Sequence, residues 1–114
     1  MKVMVYIAAL FMTVTIAAQE KPKFEKENDL VKGTFYFENG QIQQQGTYKD
    51  GKLHGEWISY DHNGDKVAKG YYENGIKTGK WFFWNEEKLS EVDYSNNKIT
   101  EVNTWINTNN VVSN

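Results

Sequence analysis

Cysteine and arginine are both missing from this 114-residue chain, and histidine occurs only twice. Without cysteine there can be no disulfide staple and no thiolate metal site. Without arginine the chain lacks the side chain best suited to bidentate recognition of phosphate and guanine. Its formal net charge of −2 leaves no basic footprint for counterion-release binding, so nucleic acid is not an expected partner. His54 and His62 both fall in or beside turns, and neither has a second histidine or cysteine at metal-ligand spacing. Asp61-His62-Asn63-Gly64-Asp65 opens like a calcium loop, but Lys66 stands where glycine is needed and Tyr72 where a bidentate glutamate is needed. No G-x-S-x-G, phosphate-cradling glycine loop or H-x-x-x-H pattern is present. Glu86-Glu87 and Glu91/Asp93 are the carboxylate clusters. The first pair alternates across a strand, and the second reads as the polar side of one. No metal, cofactor or catalytic residue is expected.

One long apolar run exists. Residues 3–18 follow Lys2, are almost wholly apolar, and end in Ala17-Ala18 before polar Gln19. This is the order of a helical secretory signal peptide over 1–18, cut between Ala18 and Gln19. A membrane anchor fits less well, since the run is short of about 20 residues and interrupted by Thr13 and Thr15. The expected location is periplasmic or extracellular, with membrane contact limited to export or a weak peripheral encounter.

Beyond a charged lead-in at 19–30, the chain repeats itself. Segments 31–53, 54–77 and 78–99 stack with Tyr36, Tyr60 and Trp84 in one column, Gly40 and Gly64 in another, and Gly46, Gly70 and Val92 in a third. Tyr48, Tyr72 and Tyr94 form a further column, followed by Gly51, Gly75 and Asn97. Asn39-Gly40, Asp50-Gly51, Asn63-Gly64 and Asn74-Gly75 are dipeptides of type I′ hairpin turns. Asn96-Asn97 can substitute for them, and Glu86-Glu87 predicts a looser or longer turn. Six turn signals predict seven strands near 32–37, 42–48, 56–60, 66–72, 80–84, 89–94 and 98–105. Short hairpins between them dictate an all-β, single antiparallel meander. The repeat domain is expected over 31–106, with Trp105 and Ile106 of strand 98–106 closing its edge, and a frayed tail at 107–114.

Alternation puts Gln44, Gly46 and Tyr48 on one side of their strand, and likewise Ala68, Gly70 and Tyr72. The strand glycines are expected to receive a neighbouring aromatic ring. Trp57 and Ser59, with Trp81 and Phe83, point away from Ile58, Tyr60, Phe82 and Trp84, and form the candidate interaction face.

Gly55-Glu56-Trp57, Tyr60 and Asn63-Gly64, then Gly70, Tyr72, Asn74-Gly75 and Gly79-Lys80-Trp81, resemble MORN-type repeats of the variant G-x-W-x-x-Y-x-x-N-G kind. The resemblance covers about 31–99 and is strongest in the middle unit. With its leader, the chain is similar to small exported proteins of Bacteroidetes-type bacteria. The missing catalytic chemistry and the aromatic face point to a non-catalytic binding module. An adenylyltransferase name, sometimes given to such proteins, is unsupported, because neither an H-x-x-H phosphate turn nor its helix is present. The favoured function is binding of a protein partner through the aromatic sheet face. Since relatives are classed as antitoxins of toxin–antitoxin pairs, an antitoxin or immunity-type inhibitor is one alternative, and a binder of envelope polysaccharide or lipid headgroups is another. The partner and the oligomeric state are not legible.

Overall fold

A computed structural model describes residues 21–106. The signal-peptide boundary at Ala18–Gln19 and the tail at 107–114 lie outside these residues. The described chain forms eight strands: β1 (Lys23–Glu27), β2 (Leu30–Tyr36), β3 (Ile42–Lys49), β4 (Lys52–Tyr60), β5 (Lys66–Glu73), β6 (Ile76–Trp84), β7 (Lys88–Ser95) and β8 (Lys98–Ile106). They form one sheet whose strand order is the chain order, every pair antiparallel. The meander is therefore as expected, but with one strand more. The charged lead-in is not merely a solvated approach: Lys23–Glu27 pairs with β2 across the turn at Asn28-Asp29, where Asn28 takes φ 59°. Phe24 drives this addition, its ring standing 5.9 Å from Phe35 and 6.4 Å from Tyr48.

Two kinds of hairpin alternate. At one end of the sheet, Asp50-Gly51, Asn74-Gly75 and Asn96-Asn97 have positive φ at both central residues, the type I′ geometry that matches strand twist. At the other end, Asn39 and Asn63 are not left-handed. Only Gly40 and Gly64 are, and the bonds Gly40 N–H to Phe37 C=O and Phe37 N–H to Gln41 C=O close a three-residue loop. The expected type I′ turns at Asn39-Gly40 and Asn63-Gly64 are thus corrected to three-residue loops. The third turn of this set is shorter, not longer: Asn85 N–H donates to Lys88 C=O, with Glu86 and Glu87 between.

The missing loop residue explains half of the contraction in the third unit. A bulge explains the rest. The ladder slips by one residue between Phe35 and Tyr36 and again between Ser59 and Tyr60, whereas β6 and β7 pair without a slip from Gly79 to Trp84. One loop residue and one bulge residue fewer bring Val92 to the place that a strict 24-residue repeat would give residue 94.

β4 and β6 begin earlier than expected, directly after their type I′ turns. Gly55 and Gly79, the first letters of the G-x-W motifs, lie inside these strands with φ +91° and +72°, at slips of the ladder with β3 and β5. A left-handed residue in a bulge favours glycine, which carries no Cβ penalty there.

Candidate interaction surface

One row of side chains runs across the whole sheet on its first face. The ladder aligns Phe24, Gly33, Gly46, Trp57 and Gly70 on one side, and Trp81, Val92 and Val102 on the other. Each tryptophan lies on the glycine of the strand before it. A Cβ at Gly46 would fall within the Trp57 ring, and one at Gly70 within the Trp81 ring. The two halves of the row meet at that Gly70–Trp81 contact.

Tyrosines close over these indoles edge-on. Tyr48 and Tyr72 stand 5.2 and 6.4 Å from Trp57, and Tyr72 and Tyr94 stand 5.0 and 5.8 Å from Trp81. Such T-shaped pairs contribute about 0.5–1.5 kcal/mol each beyond area burial. The indole N–H groups are satisfied by backbone: Trp57 Nε1 donates to Thr47 C=O at 3.0 Å, and Trp81 Nε1 to Tyr71 C=O at 3.1 Å. The Lys77 ammonium lies 5.1 Å from both the Trp81 and Tyr94 centroids. Burial pushes the Tyr72 hydroxyl above the ordinary phenol range, and neighbouring Tyr94 adds to the shift.

This packing corrects the expected interaction face. Trp57 and Trp81 are 5 % and 6 % exposed and, with Val92, make the buried apolar core. Ser59 and Phe83 share their face half-buried, with Phe83 stacked 6.2 Å from Trp81. Among the described residues no second layer covers the sheet, so the largest rings cover one another, and the tryptophans hold the fold together rather than standing open to a partner.

The second face is divided. From the type I′ end to its middle it is largely polar. Lys80 reaches Asp93 at 3.2 Å and Glu91 at 3.4 Å, and these hydrogen bonds, Asp93 first, raise the lysine's pKa. Lys69 pairs with Glu56 at 3.5 Å, and the buried Thr34 hydroxyl accepts from Gln45 Nε2 at 3.1 Å. Glu91 and Asp93 are thereby the polar side of β7, held by a lysine. Towards the other end the face is apolar. The aromatic column Tyr36, Tyr60 and Trp84 runs along it, and the ladder carries it onward from Trp84 to Leu89 and Trp105.

Trp84, Leu89 and Trp105, with Glu86 and Glu87 of the short turn, line an open cleft of about 300 Å³. Trp84 stacks on Phe82 at 6.1 Å, while Trp105 is 50 % exposed. The expectation that Trp105 and Ile106 close the sheet edge is corrected: they form part of that edge, and every residue of β8 is exposed.

The histidines serve the turns. His62 stacks on Phe37 at 3.9 Å, and its C=O accepts from the Asn39 side chain. His54 Nδ1 accepts from Asn74 N–H, and its C=O from the Thr47 hydroxyl. Asp61 spends its carboxylate on Asn63 and Asp65 N–H, as a hairpin turn requires. Among the described residues, no three His, Cys, Asp or Glu side chains gather as a metal site.

A search of curated proteins finds no match to the chain. The family model described as MORN repeat variant matches residues 31–50 and 53–74. Those segments are the β2–β3 hairpin and most of the β4–β5 hairpin, and β6–β7 repeats their geometry in contracted form. Residues 31–50 and 53–74 thus carry two repeats of the MORN repeat variant type.

Proposed function

We propose that this MORN repeat protein is an exported, non-catalytic binding module that docks a protein partner on the apolar end of its second face, around Trp84, Leu89 and Trp105. The observation that carries this reading is the half-exposed Trp105 indole beside the Trp84–Leu89 cleft. Tryptophan is enriched where interfaces concentrate their energy, in pockets that a partner can desolvate.

The test is affinity capture from envelope fractions, comparing the wild-type chain with Trp105→Ala. A single stoichiometric partner retained by the wild type and weakened at least tenfold by the substitution is expected, with unchanged thermal stability. Equal retention by both would remove the proposal. Retention lost in Trp105→Ala together with lost thermal stability would show that the residue matters through folding alone.

A further inference from the structure

The two edges of the sheet are built differently. β1 carries four charged residues in five, Lys23, Glu25, Lys26 and Glu27, the usual protection of an unpaired strand against adventitious pairing. β8 is longer, and its stretch Val102–Ile106, VNTWI, has no charge, proline or glycine. The one irregularity of β8, a ladder slip opposite Asp93/Tyr94, lies before this stretch, as do both charges of the strand, Lys98 and Glu101. Val102, Trp105 and Ile106 are each half-exposed or more. Among the described residues, one edge is protected and the other is not.

We infer that β8 is a self-association strand, through which two copies of this chain pair antiparallel and join their sheets edge to edge. This goes beyond the binding of a partner protein and does not depend on it. The occupant is a second copy because the stretch is complementary to itself. An antiparallel pairing centred on Thr104 sets Thr104 against Thr104, Val102 against Ile106 and Asn103 against Trp105. Val102, Thr104 and Ile106 lie on the first face, and Asn103 and Trp105 on the second. Every directly opposed pair therefore stays on one face, as a two-fold axis normal to the sheet requires. Two apolar Val–Ile pairs form, and no charge meets its like. The buried row that ends at exposed Val102 would continue into the second copy. The contact is short compared with the 1,200–2,000 Å² of stable interfaces, so its dimer is concentration-dependent.

The absence of cysteine makes the test clean. Directly opposed residues of an antiparallel pair have Cα atoms about 4.5–5.5 Å apart, inside the ~4.4–6.8 Å span of a disulfide. Thr104→Cys is expected to give a covalent dimer under mild oxidation. Val102→Cys is not, because the two residues 102 would lie four positions apart, roughly 13 Å at strand spacing. Phe24→Cys, on the other edge, serves as the exposed control. In parallel, sedimentation of the cysteine-free chain over a concentration series should show a monomer–dimer equilibrium, weakened at least tenfold by Val102→Lys. Cross-linking of the Thr104→Cys variant no faster than that of Phe24→Cys would overturn the inference, as would a chain that stays monomeric across the concentration series. Cross-linking of Val102→Cys in preference to Thr104→Cys would overturn the register, and with it the argument from self-complementarity.

Discussion

Gly70→Ala is the substitution that bears most directly on how this sheet is held. Its Cβ would fall within the six-membered part of the Trp81 indole, meeting Cδ2, Cε2 and Cε3. The indole cannot tilt aside freely, because its N–H is bonded to Tyr71 C=O and its faces and edges are set by Tyr72, Phe83 and Tyr94. Overpacking of this kind costs about 1–3 kcal/mol, and loss of the indole hydrogen bond adds about 0.5–1.5 kcal/mol. The reduced freedom of the unfolded chain returns about 0.4–1 kcal/mol. A net loss of about 0.5–4 kcal/mol follows, read by urea denaturation with far-UV circular dichroism. Gly33→Ala is the internal control. There the added Cβ meets the ring edges of Tyr48, Phe35 and Phe24 at 3.0, 3.3 and 3.4 Å but lies inside none of them, so a smaller loss than at Gly70 is expected. The sharper test is the cycle with Trp81→Leu. With the indole gone the added methyl has room, so Gly70→Ala should become neutral or mildly stabilising in that background. Equal costs in both backgrounds would refute the idea that glycine stands there for the ring.

Gly75→Ala tests the turn rather than the core. Gly75 sits at φ +83° as the second residue of a type I′ turn, so alanine there should cost roughly 1–2 kcal/mol in the same denaturation assay, without altering the m-value. At alkaline pH the relevant group is Tyr72, whose hydroxyl pKa is raised chiefly by burial. A raised folded pKa means that the unfolded state loses its proton first. This contribution to stability is therefore complete below the unfolded value near pH 10 and is lost as pH rises through the folded value. Denaturation midpoints measured across this range should fall, and Tyr72→Phe should flatten the decline. An unchanged slope in Tyr72→Phe would assign the alkaline loss to other groups.

The topology was legible because the repeat columns are also the turn columns: Gly40 and Gly64, and Gly51 and Gly75, mark where each strand ends. The place of the glycine rows was legible too, since a strand glycine between aromatic strands invites a ring. Two features were harder to read. Alternation assigns Trp57 and Trp81 to a face but does not say whether that face is covered. Their burial arises from the tyrosines of neighbouring strands, brought edge-on by the slips at Gly55 and Gly79, which a strict period-2 reading omits. β1 was hidden by its charges. KFEKE is too polar to read as a strand, and its signals, Phe24 and the Asn28-Asp29 turn, gain meaning only against Phe35 and Tyr48 across the ladder.

The third unit shows that the repeat follows one packing rule, even where its sequence departs from the pattern. Gly46 precedes Trp57 and Gly70 precedes Trp81 because each ring occupies the space of a missing side chain on the strand before it. In β7 that place is taken by Val92, and the residue opposite it in β8 is Val102, not tryptophan. Valine and valine fill between them the volume that glycine and tryptophan fill elsewhere, so the row stays continuous while its last member is smaller. A small last member cannot be closed over by tyrosines as the indoles are, and no strand follows β8 among the described residues to cover it. The change that ends the glycine–tryptophan ladder thus also leaves Val102 open at the edge. The fold's terminating device and its exposed apolar edge are one feature of the sequence.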